Sequence, residues 1–155
     1  MIADRGAQPQ TRPPDTPLLD VAELNAFMGR AFPKSTVASR GEVMEITPGR
    51  VLMRLPFDER NLRPGGVISG PTFMTLADAA TYALIVAHMG DSVMAVTTSL
   101  TMHFLRASKP GALFAEAKFL KLGGRLATAQ VDLWVDRPEA LAAHATVAYA
   151  LPNRH

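Results

Sequence analysis

One carboxylate inside a long apolar segment constrains this chain more than any other feature. Residues 70–90 read GPTFMTLADAATYALIVAHMG, and Asp78 is the only carboxylate among them. A helix that is apolar on nearly every side is normally buried in a core or a membrane, and a central aspartate disfavours the membrane. The segment therefore predicts the central helix of a soluble core. Burying an unpaired carboxylate is costly, so Asp78 is retained for function, for an ion pair with an arginine, or for a water-filled dimer interface.

Composition excludes several function classes. The chain has 155 residues, of which 48% are apolar and 19% charged, as in an ordinary globular protein with one domain. It has no cysteine, which excludes disulfides, thiolate metal sites and cysteine nucleophiles. The net charge of +2, without a Lys/Arg run, gives no reason to expect a nucleic-acid partner. Residues 1–17 predict a flexible arm without the apolar stretch of a secretory signal, so we expect a cytoplasmic protein with no membrane partner.

The hydrophobic pattern predicts an α+β domain over residues 18–155. A short amphipathic helix starts after Asp20 as N-cap, with Glu23 at the capping-box position, and ends before Pro33. A hairpin and a turn-rich loop, DERNLRPGGVISGP, precede the long helix. The predicted strands cover residues 42–47, 50–57, 93–106, 113–122, 125–135 and 142–151. The last four, joined by short turns, predict an antiparallel meander, so we expect the sheet to curl around the helix.

Two motifs at a fixed separation resemble a known enzyme family. Leu76-Ala77-Asp78-Ala79-Ala80 lies in the long helix, and Val96-Thr97 and His103-Phe104-Leu105-Arg106 lie in the following strand. With the order of elements, these motifs resemble the hotdog-fold acyl-CoA thioesterases of the phenylacetate-pathway (PaaI-like) type over roughly residues 40–151. In that family a His-Gly-Gly begins the helix nine residues before the aspartate. Here that place is taken by Ser69-Gly70-Pro71.

The resemblance implies a function and a set of roles. It implies the hotdog fold, an antiparallel sheet wrapped around a long central helix, and hydrolysis of an acyl-CoA thioester to the free acid and CoA. Asp78 would act as base or nucleophile and reach the carbonyl from the partner subunit, while Thr97 matches a hydroxyl position that helps to hold the water. Asn61 is the only candidate for a loop asparagine common in the family. The resemblance also implies a homodimer or homotetramer with shared active sites, and no cofactor other than the coenzyme A of the substrate.

Elementary chemistry identifies further candidates. The free N–H groups at a helix N-terminus can stabilise an oxyanion, and Gly70, without a Cβ, allows close approach. Ser69 can donate one hydrogen bond there, and Tyr82 shares the helix face of Asp78. Basic side chains near strand ends and turns can meet the phosphates of coenzyme A or protect sheet edges; they are Arg106, Lys109, Lys118, Lys121 and Arg125. The four histidines are scattered, so we expect no metal site.

Alternatives of other classes stay open. A non-catalytic acyl-CoA or acyl-carrier binding protein is possible on the same fold, and a hotdog dehydratase is less favoured because such enzymes pair a histidine with a carboxylate. Alternation along residues 93–106 predicts an apolar row packed on the central helix, namely Val96, Leu100, Met102 and Phe104. The opposite parity predicts a partly polar subunit interface formed by Thr97, Ser99, Thr101 and His103.

Overall fold

The computed structural model describes residues 16–90, 92 and 94–153, so the predicted arm up to residue 15 lies outside the described residues. The helices are α1 (Val21–Ala31), α2 (Val37–Arg40) and α3 (Gly70–Met89), with a short 3-10 helix at Glu59–Asn61. The strands are β1 (Glu42–Thr47), β2 (Arg50–Leu55), β3 (Leu62–Arg63), β4 (Val67–Ile68), β5 (Val96–Phe104), β6 (Leu113–Leu122), β7 (Leu126–Trp134) and β8 (Ala143–Ala150).

The start of α1 agrees with its predicted capping box. The carboxylate of Asp20 accepts a hydrogen bond from the Glu23 N–H at 2.8 Å, and Glu23 accepts one from the Asp20 N–H at 2.9 Å. These reciprocal bonds satisfy N–H groups that a helix leaves free at its first turn. The pattern did not predict α2 or the small β3–β4 hairpin within the turn-rich loop.

The sheet topology differs from the predicted meander. Its six strands lie in the order β1-β2-β6-β7-β8-β5, and the neighbouring strands are antiparallel. Only β6, β7 and β8 form a meander, so the prediction of a four-strand meander that includes β5 is wrong. The reason is that β2 and β7 occupy both sides of β6. The chain after β5 therefore crosses the end of the sheet, and β5 pairs with β8 at the far edge.

The sheet surrounds α3 as the apolar sequence requires. Leu76, Leu84 and Ile85 are fully buried, and they meet a sheet face that is rich in alanine, which lets helix and strands approach closely; its buried members include Ala115, Ala117, Ala129 and Ala145. By length and a mean hydropathy of 1.2, α3 resembles a membrane span, but 67% of that stretch is buried inside the fold. Its burial is that of a core helix.

A β-bulge in β5 decides where Thr97 lies. Leu100 and Met102 pack against the core, opposite Val147 and Ala145 of β8, as their parity predicts. The register shifts between Thr97 and Ser99, and the shift places Thr97 opposite Tyr149. A bulge inserts one residue and reverses the parity beyond it. Placing Thr97 in one row with Ser99, Thr101 and His103 is therefore wrong, because Thr97 faces α3.

The ends of β5 also depart from the predicted apolar row. Val96 and Phe104 were expected to pack on the central helix, but their side chains are 58% and 55% exposed. Phe104 reaches the start of α3 only with its ring edge, at 6.0 Å between its centroid and that of Phe73. Val96 precedes the bulge and points to the opposite side of the sheet from Thr97, which faces α3, whereas Phe104 meets only the first turn of α3.

Candidate active site

Asp78 is held by two hydroxyl groups from neighbouring strands. Thr97 Oγ1 donates to Asp78 Oδ1 at 2.7 Å, and the Tyr149 hydroxyl donates to the same oxygen at 2.7 Å. The pairing of β5 with β8 brings these two donors together, since Thr97 lies opposite Tyr149. No residue in the described part of the chain donates to Oδ2. One carboxylate oxygen is thus fixed, and the other is available to a ligand or a water molecule.

Tyr149 is a site residue that the sequence reasoning missed. Its side chain is only 3% exposed. Burial, together with the negative charge of Asp78, raises the pKa of the Tyr149 hydroxyl, so Tyr149 keeps its proton and remains a donor. A signal was present in the sequence: Tyr149 shares the core-facing alternation of Ala145 and Val147, and a buried tyrosine hydroxyl needs a partner. Asp78 is the only carboxylate that α3 offers.

The ion-pair interpretation of Asp78 finds no partner among the residues that the structure describes. The ion pairs there join Arg50, Arg54, Arg60, Lys118 and His144 to other carboxylates. Asp78 is instead held by neutral donors, which position a carboxylate without cancelling its charge. This arrangement suits a group that must act on a reacting centre.

A cavity of about 490 Å³ opens beside Asp78. Thr97 and Tyr149 line it together with two aromatic side chains, Phe32 and Tyr82. The ring of Tyr82 lies 5.4 Å from that of Phe32 and 6.2 Å from that of Tyr149, measured between centroids. The spacing on α3 correctly placed Tyr82 beside Asp78. The volume is within the range of small-molecule sites, roughly 300–1,000 Å³.

Gly70 faces a second cleft, of about 400 Å³. It begins α3, and no acceptor among the described residues takes its N–H. A Cβ at this position would lie 3.4 Å from Cζ of Phe104, so a larger residue would press on that ring. Arg106 lines the same cleft. The structure therefore brings together the predicted oxyanion donor and one of the predicted phosphate-binding residues.

Ser69 and Asn61 belong to a third cleft, of about 250 Å³. The Ser69 hydroxyl shares a 2.7 Å hydrogen bond with Thr72 Oγ1, and the Ser69 N–H donates to the Asn61 carbonyl at 2.9 Å. Neither residue lines the cavity beside Asp78. The contacts of Ser69 fix the entry into α3, and Asn61 contributes to them through its main chain.

The remaining basic candidates lie away from these clefts. Lys121 and Arg125 are exposed near the turn between β6 and β7, and they line none of the three clefts. Within the described part of the chain, no group of three or more histidine or carboxylate side chains is placed to hold a metal ion.

Comparison with known proteins agrees with this architecture. A crystal structure from Silicibacter sp. TM1040, provisionally named a thioesterase, is similar with a TM-score of 0.79 and 34% identity over 90% of this chain and 96% of that one. Zebrafish thioesterase superfamily member 2 has a TM-score of 0.75 and 23% identity, covering 86% of this chain and 99% of the other. Thioesterase HI1161 from Haemophilus influenzae also has a TM-score of 0.75, with 19% identity over 87% and 92% of the two chains. The predicted hotdog fold is confirmed.

Sequence comparison points to the same group. A protein from Saccharolobus solfataricus, provisionally named an esterase, is 28% identical over 91 residues, which are 59% of this chain and 64% of the relative. This chain thus matches less than two thirds of that relative's length. The family model for the Thioesterase superfamily matches residues 65–142, which include the start of α3, Asp78 and Thr97. The chain therefore belongs to the thioesterase superfamily.

Proposed function

We propose that this protein hydrolyses acyl-CoA thioesters, with Asp78 as the base or nucleophile. The observation that carries the proposal is the state of the Asp78 carboxylate. Thr97 and Tyr149 hold Oδ1, Oδ2 has no donor among the described residues, and Asp78 lines a cavity that can hold an acyl group. A positioned carboxylate can activate water or attack the carbonyl carbon directly. The scheme uses no metal and no cofactor beyond the coenzyme A of the substrate.

Gly70 is the proposed oxyanion donor, and it acts on the active site of the other subunit. Asp78 follows Gly70 by eight positions of helix, which corresponds to about 12 Å along the axis. A thioester carbonyl cannot contact the Gly70 N–H and the Asp78 carboxylate of one chain at once. The helix N-terminus and its free N–H suit a developing negative charge. A site that combines both groups therefore takes them from two copies of the chain.

The exposed edge of the sheet at β5 offers the surface for that pairing. Natural edge strands are usually protected by charges, prolines or bulges. The opposite edge, β1, is six residues long, has a bulge and carries Glu42 and Glu45. The edge strand β5 also has a bulge, near Thr97, but it is nine residues long and reads VTTSLTMHF, without a lysine, arginine or carboxylate. We infer that β5 pairs with β5 of a second subunit in a homodimer or dimer of dimers.

The register of such a pair would assemble the site. If two copies of β5 pair antiparallel about an axis between Leu100 and Thr101, Thr97 of one lies opposite Phe104 of the other. Thr97 binds Asp78, and Phe104 lies against Gly70. The cavity beside Asp78 would then adjoin the Gly70 cleft of the second subunit. Arg106 in that cleft is placed for the phosphates of coenzyme A, which arginine binds well.

Steady-state hydrolysis of a panel of acyl-CoAs, followed by thiol release, tests the activity. We expect turnover of at least one acyl class by the purified protein. Saturable binding of acyl-CoA without turnover would instead support the non-catalytic binding protein. Light scattering at micromolar concentration should give a mass that is a multiple of 16.7 kDa, and a monomer would contradict the shared site.

Mixing of two inactive variants tests the sharing itself. Asp78→Asn lacks the carboxylate, and Gly70→Val fills the approach beside Phe104. Random mixing makes half of the dimers hybrid, each with one intact site, so about a quarter of wild-type activity should return. If each site lies within one chain, the mixture stays inactive.

A further inference from the structure

We propose that Arg40 makes this site selective for acyl groups that end in a carboxylate, that is, for monothioesters of dicarboxylic acids. The inference rests on the proposed function, since it assigns the acyl class of the same site. It starts from a cation in the wall of the Asp78 cavity that the hydrolysis scheme does not use.

Arg40 is held in place by neutral groups alone. Its Nη1 donates to the Ser35 carbonyl at 3.0 Å and to the Ser35 hydroxyl at 2.9 Å. Its Nε and Nη2 have no acceptor among the residues that the structure describes. Nη1 of the guanidinium is thus anchored, and the hydrogen-bonding capacity of Nε and Nη2 remains free for a ligand. Nη2 lies near α1, where a Cβ at Gly29 would be 3.7 Å from it, and Arg40 lines both the Asp78 cavity and the cleft of Ser69 and Asn61. The Nε–Nη2 edge has the geometry that binds a carboxylate with two parallel hydrogen bonds.

The backbone after Arg40 fixes the position of α2. Gly41 has a φ of +83°, and a Cβ there would lie 3.0 Å from both the Arg54 carbonyl oxygen and Leu76 Cδ1. Only glycine suits this conformation and this close contact. The end of α2 is therefore packed tightly between β2 and α3. Arg40 is set in the cavity wall by a rigid connection.

Among the residues that the structure describes, Arg40 has no counter-ion. Arg50, Arg54 and Arg60 each have a carboxylate within 4.0 Å, at 2.7, 3.6 and 2.7 Å. Arg40 is half-buried and forms no such pair in the part of the chain that the structure describes, although Asp78 lines the same cavity. A cation partly removed from water gains from an anion that enters with the ligand.

The rest of the cavity wall suits a methylene chain. Met28, Phe32 and Tyr82 contribute apolar surface to the cavity that Ser35, Arg40 and Asp78 also line. Arg40 and Asp78 line this cavity from two different helices, α2 and α3. An acyl carboxylate near Asp78 would be repelled, so the ligand needs several methylenes between its thioester and its free carboxylate. An acyl chain of about six carbons is the first choice for a test because it provides such a spacer within the cavity.

The test compares adipyl-CoA with hexanoyl-CoA, which have six acyl carbons each and differ in the terminal carboxylate. Wild type should show a higher kcat/KM for adipyl-CoA by at least about tenfold, as expected for charge-assisted hydrogen bonds. In Arg40→Gln this selectivity ratio should fall by at least about tenfold. Arg30→Gln removes the same charge from an exposed position on α1 and should keep the ratio.

Two results would overturn the proposal. If Arg40 supports Asp78 or contacts the phosphates of coenzyme A, Arg40→Gln lowers kcat/KM equally for both substrates and the ratio is unchanged. The second is that wild type shows no preference for the carboxylated substrate at any chain length that is compared. Glutaryl-CoA against pentanoyl-CoA and suberyl-CoA against octanoyl-CoA repeat the comparison, and absence of preference in all three pairs overturns it.

A binding measurement separates this proposal from the proposed hydrolysis. The thioethers 5-carboxypentyl-CoA and hexyl-CoA cannot be hydrolysed, and calorimetry gives their Kd for wild type and Arg40→Gln. An Arg40-dependent preference for the carboxylated thioether, in a protein that turns over neither thioester, supports the acyl assignment while the proposed function fails. Equal Kd values for the two thioethers overturn the assignment whether or not hydrolysis occurs.

Discussion

The two halves of α3 differ in whether their polar groups have hydrogen-bond partners. In residues 70–79, the N–H of Gly70 and Oδ2 of Asp78 have no hydrogen-bond partner among the residues that the structure describes, and both residues line clefts. In residues 80–89, Thr81 donates to the Ala77 carbonyl at 2.9 Å, and both ring nitrogens of His88 are engaged. The second half is buried without interruption through His88. One helix thus combines the end that we propose to be reactive, called the reactive end below, with a structural end.

His88 shows how the structural end is stabilised. The Gly49 N–H donates to its Nε2 at 2.9 Å, and Nδ1 then carries the proton and donates to the Leu84 carbonyl at 2.9 Å. The imidazole is therefore neutral and ties the end of α3 to the β1–β2 turn. Asp78 has a carboxylate oxygen without a donor among the described residues, whereas both ring nitrogens of His88 are hydrogen-bonded, although both side chains lie in the same apolar helix. We expect substitutions in the two halves to affect different quantities.

The largest expected effect is on turnover, at the reactive end. Asp78→Asn keeps the shape of the side chain and an oxygen for Thr97 and Tyr149, but it removes the base. We expect kcat to fall by at least about a hundredfold, the low end of what general-base catalysis supplies, while the unfolding midpoint in urea stays near that of wild type. Unchanged turnover, or a loss of about 3–5 kcal/mol of stability as for a broken buried ion pair, would contradict the assignment.

The corresponding change at the structural end should affect stability instead. His88→Leu leaves the part-buried Gly49 N–H without its acceptor, which costs about 1 kcal/mol, the low end of the range for an unsatisfied buried group. For a domain of this size each kcal/mol lowers the melting temperature by roughly 2–4 °C. The kcat of the folded fraction should not change.

A matched control for His88 lies on the outer face of the sheet. His144 is partly exposed and pairs with Asp132 at 2.6 Å, and exposed pairs contribute about 0–1 kcal/mol. His144→Gln should therefore destabilise the protein less than His88→Leu. If the two variants lose equal stability, the buried bond of His88 is not what stabilises this end of α3.

A smaller effect on turnover should follow from the donors that hold Asp78. Tyr149→Phe removes one hydrogen bond to a carboxylate, so we expect a loss in kcat of about tenfold, equivalent to about 1.4 kcal/mol. Thr97→Val removes the other donor at similar volume. In a double-mutant cycle the two losses should not add, because both donors hold the same oxygen. Strict additivity would show that they act separately.

Most of the fold followed from patterns of single elements. Alternation and turn residues located the long strands, and the apolar run located α3 to within one residue of its end. The position of β5 did not follow, because alternation reports a strand and its faces but not its neighbour. The bulge at Thr97 could not be predicted either, since one inserted residue reverses the alternation of side chains between the two sheet faces without changing the composition.

The same distinction between local pattern and tertiary packing applies to the residues of the candidate site. Asp78 was predicted because a carboxylate is unusual in an apolar helix, and Gly70 because it takes the place of the family's His-Gly-Gly at the start of that helix. Tyr149 and Arg40 were missed because their importance comes from where β8 and α2 pack in the fold. Both are ordinary residues within their own elements. Local sequence therefore indicates the reactive group, whereas the groups that position it depend on tertiary contacts.

The smallest effect expected here is a pH dependence that belongs to the structural end alone. Burial lowers the pKa of His88 from its ordinary value of 6.5, so the native state resists protonation. In the unfolded chain His88 takes up a proton as the pH falls through about 6.5, which favours unfolding. The contribution of His88 to the free energy of unfolding is therefore complete above about pH 6.5 and declines below it. The difference in free energy of unfolding between wild type and His88→Leu, measured in urea titrations, should therefore become smaller as the pH falls from about 8 to about 5.5. A difference that is constant or grows on acidification would show that this ring is not held neutral.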